Sequence, residues 1–134
     1  MTTVMAPADP ESDPRVAAVF ADIRETRGTD FINNLWRVLA FDPPLLEETW
    51  QGVKAVMATE SALDAKTKEM LYLAVSIANG CAYCIHSHSA AAKARGMSDA
   101  EHADLLRVVG MAARTNHLAN ALAPPIDDAF DTGA

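Results

Sequence analysis

Apolar residues recur every three to four positions along most of this chain, the spacing of amphipathic helices. Val16, Val19, Phe20 and Ile23 form the first such row. It follows Asp13-Pro14, which reads as a cap and a proline at the first helical position. That helix is predicted to run to Thr26 and to stop at Gly28. Phe31, Leu35, Val38 and Leu39 make a second row, with Ile32 and Trp36 beside them and Asp30 as the expected cap. Asp42-Pro43 repeats the cap-and-proline signal, and Leu46, Trp50, Val53 and Met57 predict a third helix over 43–58. Both tryptophans are assigned to the core.

Residues 61–68 form a polar hinge, with Asp64 as cap for a fourth helix. Its segment 70–78 is almost wholly apolar, which suits a buried helix. Asn79-Gly80 stops it, because glycine tolerates the left-handed backbone that ends a helix. A fifth helix then starts near Cys81 and reaches about Arg95. Ser98 and Glu101 form a capping box for a sixth, which carries Leu105, Leu106, Val108 and Val109. Gly110 predicts a bend or a close helix contact before 111–122. Residues 1–12 and 124–134 are expected to be loose tails. No stretch alternates with period two and no hairpin dipeptide separates β-rich runs, so the fold is expected to be all-α.

Composition narrows the function. With 134 residues, half of them hydrophobic, the chain is expected to form one domain around one core. A net charge of -7 argues against nucleic acid and against an anionic membrane surface as partners. No apolar run approaches the ~20 residues of a membrane-spanning helix. The N-terminus lacks a basic region followed by an apolar core, so no signal peptide is expected and a cytoplasmic setting follows. In that setting a C-x-x-C is more often catalytic or metal-binding than a structural staple.

The chain has two cysteines, and they form such a pair: Cys81 and Cys84, with His88 four residues further on. On a regular helix, at ~100° per residue, these three fall within an arc of about 60°. Cysteines three apart have Cα atoms about 5 Å apart, within disulfide range. His88 is spaced to touch Cys84. It lies about 10 Å along the axis from Cys81, which it reaches only through a bridge. A thiol reacts as its thiolate, and either a helix N-terminus or a neighbouring imidazolium lowers its pKa. The helix start favours Cys81 and the base favours Cys84, and sequence leaves that choice open. If the fourth and fifth helices pack antiparallel, Glu69 comes alongside the fifth and faces its first turns. There a carboxylate could orient His88 and move its proton. Zinc is the rival reading, with Glu69, His86 or water as fourth ligand. His86, however, points to nearly the opposite face. Lys66 and Lys68 read as a solvated face, the alternative being an attraction for anionic substrates.

The pattern E-x11-C-x2-C-x3-H, formed by Glu69, Cys81, Cys84 and His88, resembles the motif of AhpD-like alkylhydroperoxidases in the carboxymuconolactone decarboxylase superfamily. The wording A-N-G-C-A-Y-C-I-H-S-H is similar too, and the resemblance covers roughly 31–122. It implies a single-domain, all-α AhpD-like helical bundle with an antiparallel helix pair carrying the CxxC site, assembled as a homotrimer or homohexamer. It implies a thiol peroxidase or disulfide reductase with no cofactor, neither metal nor flavin. A small hydroperoxide would be the substrate and a lipoyl- or thioredoxin-like dithiol the reductant. In that scheme peroxide oxidises Cys84 to a sulfenic acid, Cys81 closes the disulfide, and Glu69 and His88 relay protons. Tyr83 departs from the best-studied peroxidases, which carry a second histidine between the cysteines. That departure supports a redox-sensing or adaptor protein as one alternative. The superfamily's decarboxylases supply another, against which the cysteine pair counts.

Overall fold

A computed structural model describes residues 2–131 and Gly133. It contains six α-helices and no strand among the described residues, as the periodicity predicts. No helix among them is long and apolar enough to cross a membrane. The chain gathers into two compact units, 1–62 and 63–134.

In the first unit, α1 (Pro14–Arg27) is capped by Asp13, whose carboxylate accepts from the Arg15 and Val16 amides. Gly28 ends it in the left-handed conformation at φ 66°. The predicted row Val16, Val19, Phe20 and Ile23 is buried. It packs with Leu46 and Trp50 of α3 (Pro43–Val53), which Asp42 caps. Trp36 meets Trp50 edge-to-face at 5.6 Å, a favourable aromatic geometry. The Trp50 indole N–H donates to Asp22 at 2.7 Å, so a fully buried indole leaves no donor unpaired. Lys54 completes that cluster, and with the Trp50 indole it holds the Asp22 carboxyl below the usual range.

Three expectations change in this unit. First, α2 is only Asn34–Leu39, and Asp30 does not cap it. Residues 31–33 stay non-helical, and the Asp30 carbonyl accepts from Arg24 instead. The inward row is therefore Ile32, Trp36 and Ala40, while Phe31 and Leu35 are exposed. Second, the third helix does reach Ala58, but Lys54–Ala58 is a widened π turn. Third, the N-terminal tail carries a 3-10 turn at Pro10–Ser12, and Glu11 binds Arg24 through both oxygens at 2.7 and 3.2 Å.

The second unit is built on α4 (Ala65–Ala78), α5 (Ala82–Ala94) and α6 (Asp99–Leu122). Asp64 caps α4, and the Ser98–Glu101 capping box starts α6. Lys66 bonds Glu101 at 2.8 Å, which ties the first turns of α4 and α6 together. Leu73, Ala92, Met97 and Leu105 are the buried core, and Met70, Ala74, Ile77 and Ile85 pack against it.

The expectation of a fully buried α4 fails. One side faces this core, whereas Leu71, Tyr72 and Val75 on the other side are exposed. The apolar run is continuous because both sides have work: one packs, and the other forms a wall at the surface. Similarly, Leu106 and Val108 of α6 are exposed and only Leu105 is buried. The α6 helix runs through Gly110 unbroken. A Cβ at Gly110 would meet nothing within 4 Å, so it marks no close contact within the chain.

Candidate active site

The connection between α4 and α5 spans three residues, 79–81, so the two helices form a hairpin. Gly80 makes the reversal at φ 68°. In an antiparallel hairpin, residues at similar distances from the turn face each other. That places Glu69 opposite His88, and His88 Nδ1 lies 2.7 Å from Glu69 Oε2. The two side chains are 19% and 16% exposed, which limits competition from water. A carboxylate only accepts, so in this contact the imidazole donates from Nδ1, and in the neutral ring Nε2 is then the acceptor. The contact falls in the middle of α5 rather than at its first turns.

Sequence reasoning missed a second neighbour of this imidazole. The Tyr72 ring stacks on His88 with centroids 3.7 Å apart and planes 20° from parallel. The signal was available: Tyr72 is three residues after Glu69, so both project from neighbouring positions on one helical face.

At the other end of the site, Cys81 is the N-cap of α5. Its backbone is extended, and its sulfur accepts the Cys84 amide N–H at 3.4 Å. Such a cap favours the thiolate, because helix-start amides point at negative charge. The two thiols are consequently unequal. The Cys84 thiol donates to Cys81, and with the Cys84 amide it pulls the Cys81 pKa below the ordinary thiol range. Burial, followed by that bond and the charge on Cys81, pushes Cys84 up to about 11. Of the two, Cys81 is the thiol whose surroundings favour the thiolate, and Cys84 the one held as thiol.

Among the described residues no hydrogen bond joins His88 to either sulfur; the imidazole bonds Glu69 and stacks on Tyr72. Beside the sulfurs opens a pocket of about 410 Å³. Leu71, Tyr72 and Val75 wall it, and Ser76 and Asn79 add polar atoms next to Cys81 and Cys84. Tyr83 is 43% exposed. His86 and His117 are exposed and lie outside the site. Among the described residues, no three His, Cys, Asp or Glu side chains gather in an arrangement that could hold a metal ion.

Comparison with known proteins brings in three findings. Residues 44–126 match the family model described as the carboxymuconolactone decarboxylase family. The crystal structure of an alkylhydroperoxidase AhpD core from Rhodospirillum rubrum matches the fold with a TM-score of 0.93. It is 57% identical in sequence, over 97% of each chain. An uncharacterized protein of Haemophilus influenzae is 33% identical over 71 residues, which are 53% of this chain and 61% of that protein's length.

Proposed function

Because the chain belongs to the carboxymuconolactone decarboxylase family and has the all-helical AhpD core fold, we propose that it is a thiol-dependent hydroperoxide reductase. Cys84 and Cys81 cycle between dithiol and disulfide, and Glu69 and His88 move the protons. The observation that carries this reading is the Glu69–His88 bond, which reaches across the hairpin that also presents both sulfurs to an open pocket.

The chemistry balances as follows. Cys84 loses its proton and attacks the outer peroxide oxygen, the O–O bond breaks, and the alkoxide leaves as an alcohol once protonated. Cys84 is then a sulfenic acid, the first and reversible rung of thiol oxidation. Cys81 attacks that sulfur, water leaves, and the disulfide forms. An external dithiol, lipoyl- or thioredoxin-like, restores both thiols by exchange. A thiol pushed up to about 11 needs a base at neutral pH, and His88 is that base. The proton crosses to Nε2 through a bridging water. Cys81, whose lowered pKa favours the thiolate, closes the disulfide more readily than an ordinary thiol would.

One observation favours a second reading. The lowered pKa of Cys81, which accepts the Cys84 amide at the start of the helix, suits it as the first nucleophile, with Cys84 resolving and the relay serving the second step. The serine variants treated in the Discussion separate the two orders.

The function is tested by titrating free thiols before and after one equivalent of an organic hydroperoxide. Two thiols are expected to disappear and to return on addition of dihydrolipoamide or reduced thioredoxin. Unchanged thiols, or lactone decarboxylation that survives loss of both cysteines, would overturn the reading. A reversible disulfide with negligible turnover would point instead to a redox sensor.

A dithiol that must stay reducible suits the cytoplasm. The proposed assembly is a homotrimer or homohexamer. Its support lies in α6, where residues 110–122 are all exposed and include Met111, Leu118 and Leu122. A helical segment of that length is marginal in water without a packing partner. Sedimentation equilibrium reads the assembly, and a monomer would remove this part of the proposal.

A further inference from the structure

We propose that Tyr72 is a positioning residue for His88: its ring, lying over the imidazole, fixes the plane in which the free nitrogen serves the sulfur pair. The inference rests on the redox reading above and extends it.

The Glu69 bond alone does not fix the imidazole. A single hydrogen bond at Nδ1 leaves the ring free to tilt about that contact. The Tyr72 stack, at 3.7 Å and 20° between planes, acts perpendicular to the bond and opposes that tilt. Both restraints come from α4, three residues apart, so they form one rigid clamp. The helix around Tyr72 is well tied: the buried Ser76 hydroxyl donates to the Tyr72 carbonyl at 2.7 Å.

The same tyrosine walls the pocket with Cys81 and Cys84. One ring therefore borders both the base and the space where a peroxide meets the thiols. Its phenol stays neutral, since burial first, and then the charges at Cys84, Glu69 and Cys81, raise its pKa above the usual range. It adds no negative charge to compete with the thiolate. A stacked aromatic face also suits the imidazolium that forms when His88 accepts a proton.

The test uses the full chain and two readouts. The first is the rate of disulfide formation with tert-butyl hydroperoxide in Tyr72→Leu, Tyr72→Phe, His88→Gln and the Tyr72→Leu/His88→Gln pair. Tyr72→Leu is expected to slow the reaction by about 10- to 100-fold, the scale of a misplaced catalytic group. Tyr72→Phe keeps the ring and is expected to restore most of that loss. In the His88→Gln background, Tyr72→Leu should cost little more, because its effect passes through the imidazole. An equal cost in both backgrounds, or a loss in Tyr72→Phe as deep as in Tyr72→Leu, would overturn the proposal. The second readout needs no activity. The His88 ring protons should carry an upfield ring-current shift that Tyr72→Phe retains and Tyr72→Leu removes. Shifts unmoved by Tyr72→Leu overturn the stack even if the protein reduces no peroxide, and an inert wild type sinks only the redox reading. Tyr72 is 36% exposed, so leucine leaves the core intact, and a thermal melt checks this.

Discussion

Cys81→Ser is expected to consume one equivalent of hydroperoxide and then stop, with a sulfenic acid on Cys84 that dimedone traps. Cys84→Ser is expected not to react. Steady-state turnover should fall in both by about 10³-fold or more, the scale seen when members of a catalytic unit are removed. The asymmetry follows from the roles: Cys84 receives the oxygen and Cys81 closes the disulfide. Serine at position 81 can still accept the helix-start amide, so the start of α5 survives the change. The substitution also removes the bond and the charge that help push Cys84 up to about 11, leaving burial as the main cause. Cys84 in that variant should therefore ionise at lower pH than in the wild type, and its alkylation rate should rise at neutral pH. In the wild type, iodoacetamide at neutral pH should label Cys81 first, since that thiolate is favoured and persists below the ordinary thiol range. The opposite pattern, a dimedone adduct on Cys81 in Cys84→Ser and none in Cys81→Ser, assigns first attack to Cys81.

That the pair needed a structure to rank it shows where the sequence stops. Helix limits were legible wherever a side chain with one dominant use marked them. Asp13, Asp42, Asp64 and the Ser98–Glu101 box all cap where they were expected. Asp30 looked equivalent and was not: residues 31–33 stay non-helical, and its carbonyl accepts from Arg24, a contact that no capping pattern reports. The pairing of Glu69 with His88 was legible too, since a short turn between two helices makes them antiparallel. What the chain could not reveal was direction around an apolar helix. The run 70–78 reads as buried on every side, yet Leu71 and Val75 are 52% and 57% exposed and wall a pocket. The same ambiguity hid Tyr72, whose ring could have packed inward but instead covers His88. The helix-start amide that favours the Cys81 thiolate was legible in spacing, but the burial of Cys84 and the S–H···S contact between the pair leave no trace there.

The relay gives the other large effect. His88→Gln is expected to slow disulfide formation by about 10²-fold or more at neutral pH, within the range general-base catalysis supplies. Glutamine is the informative replacement. Its amide can still donate to Glu69, so a largely buried carboxylate is not left unpaired and the fold should hold. What disappears is the free nitrogen that takes the thiol proton. The deficit should then depend on pH with a definite sign. With Cys84 held at about 11, its thiolate fraction rises about tenfold per pH unit across the range from 7 to 9.5. The variant, which must wait for that spontaneous ionisation, should climb with the same slope and close on the wild type as pH rises. The wild type, supplied with its own base, should climb less. Glu69→Gln should be milder, because the imidazole remains but loses the negative charge that steadies its protonated form. The double variant should be no slower than His88→Gln alone, since Glu69 acts through the ring it holds at 2.7 Å. Stopped-flow measurement of thiol loss across that pH range checks all three. A His88→Gln rate equal to the wild type throughout would leave Cys84 ionising without help and would remove the relay from the mechanism.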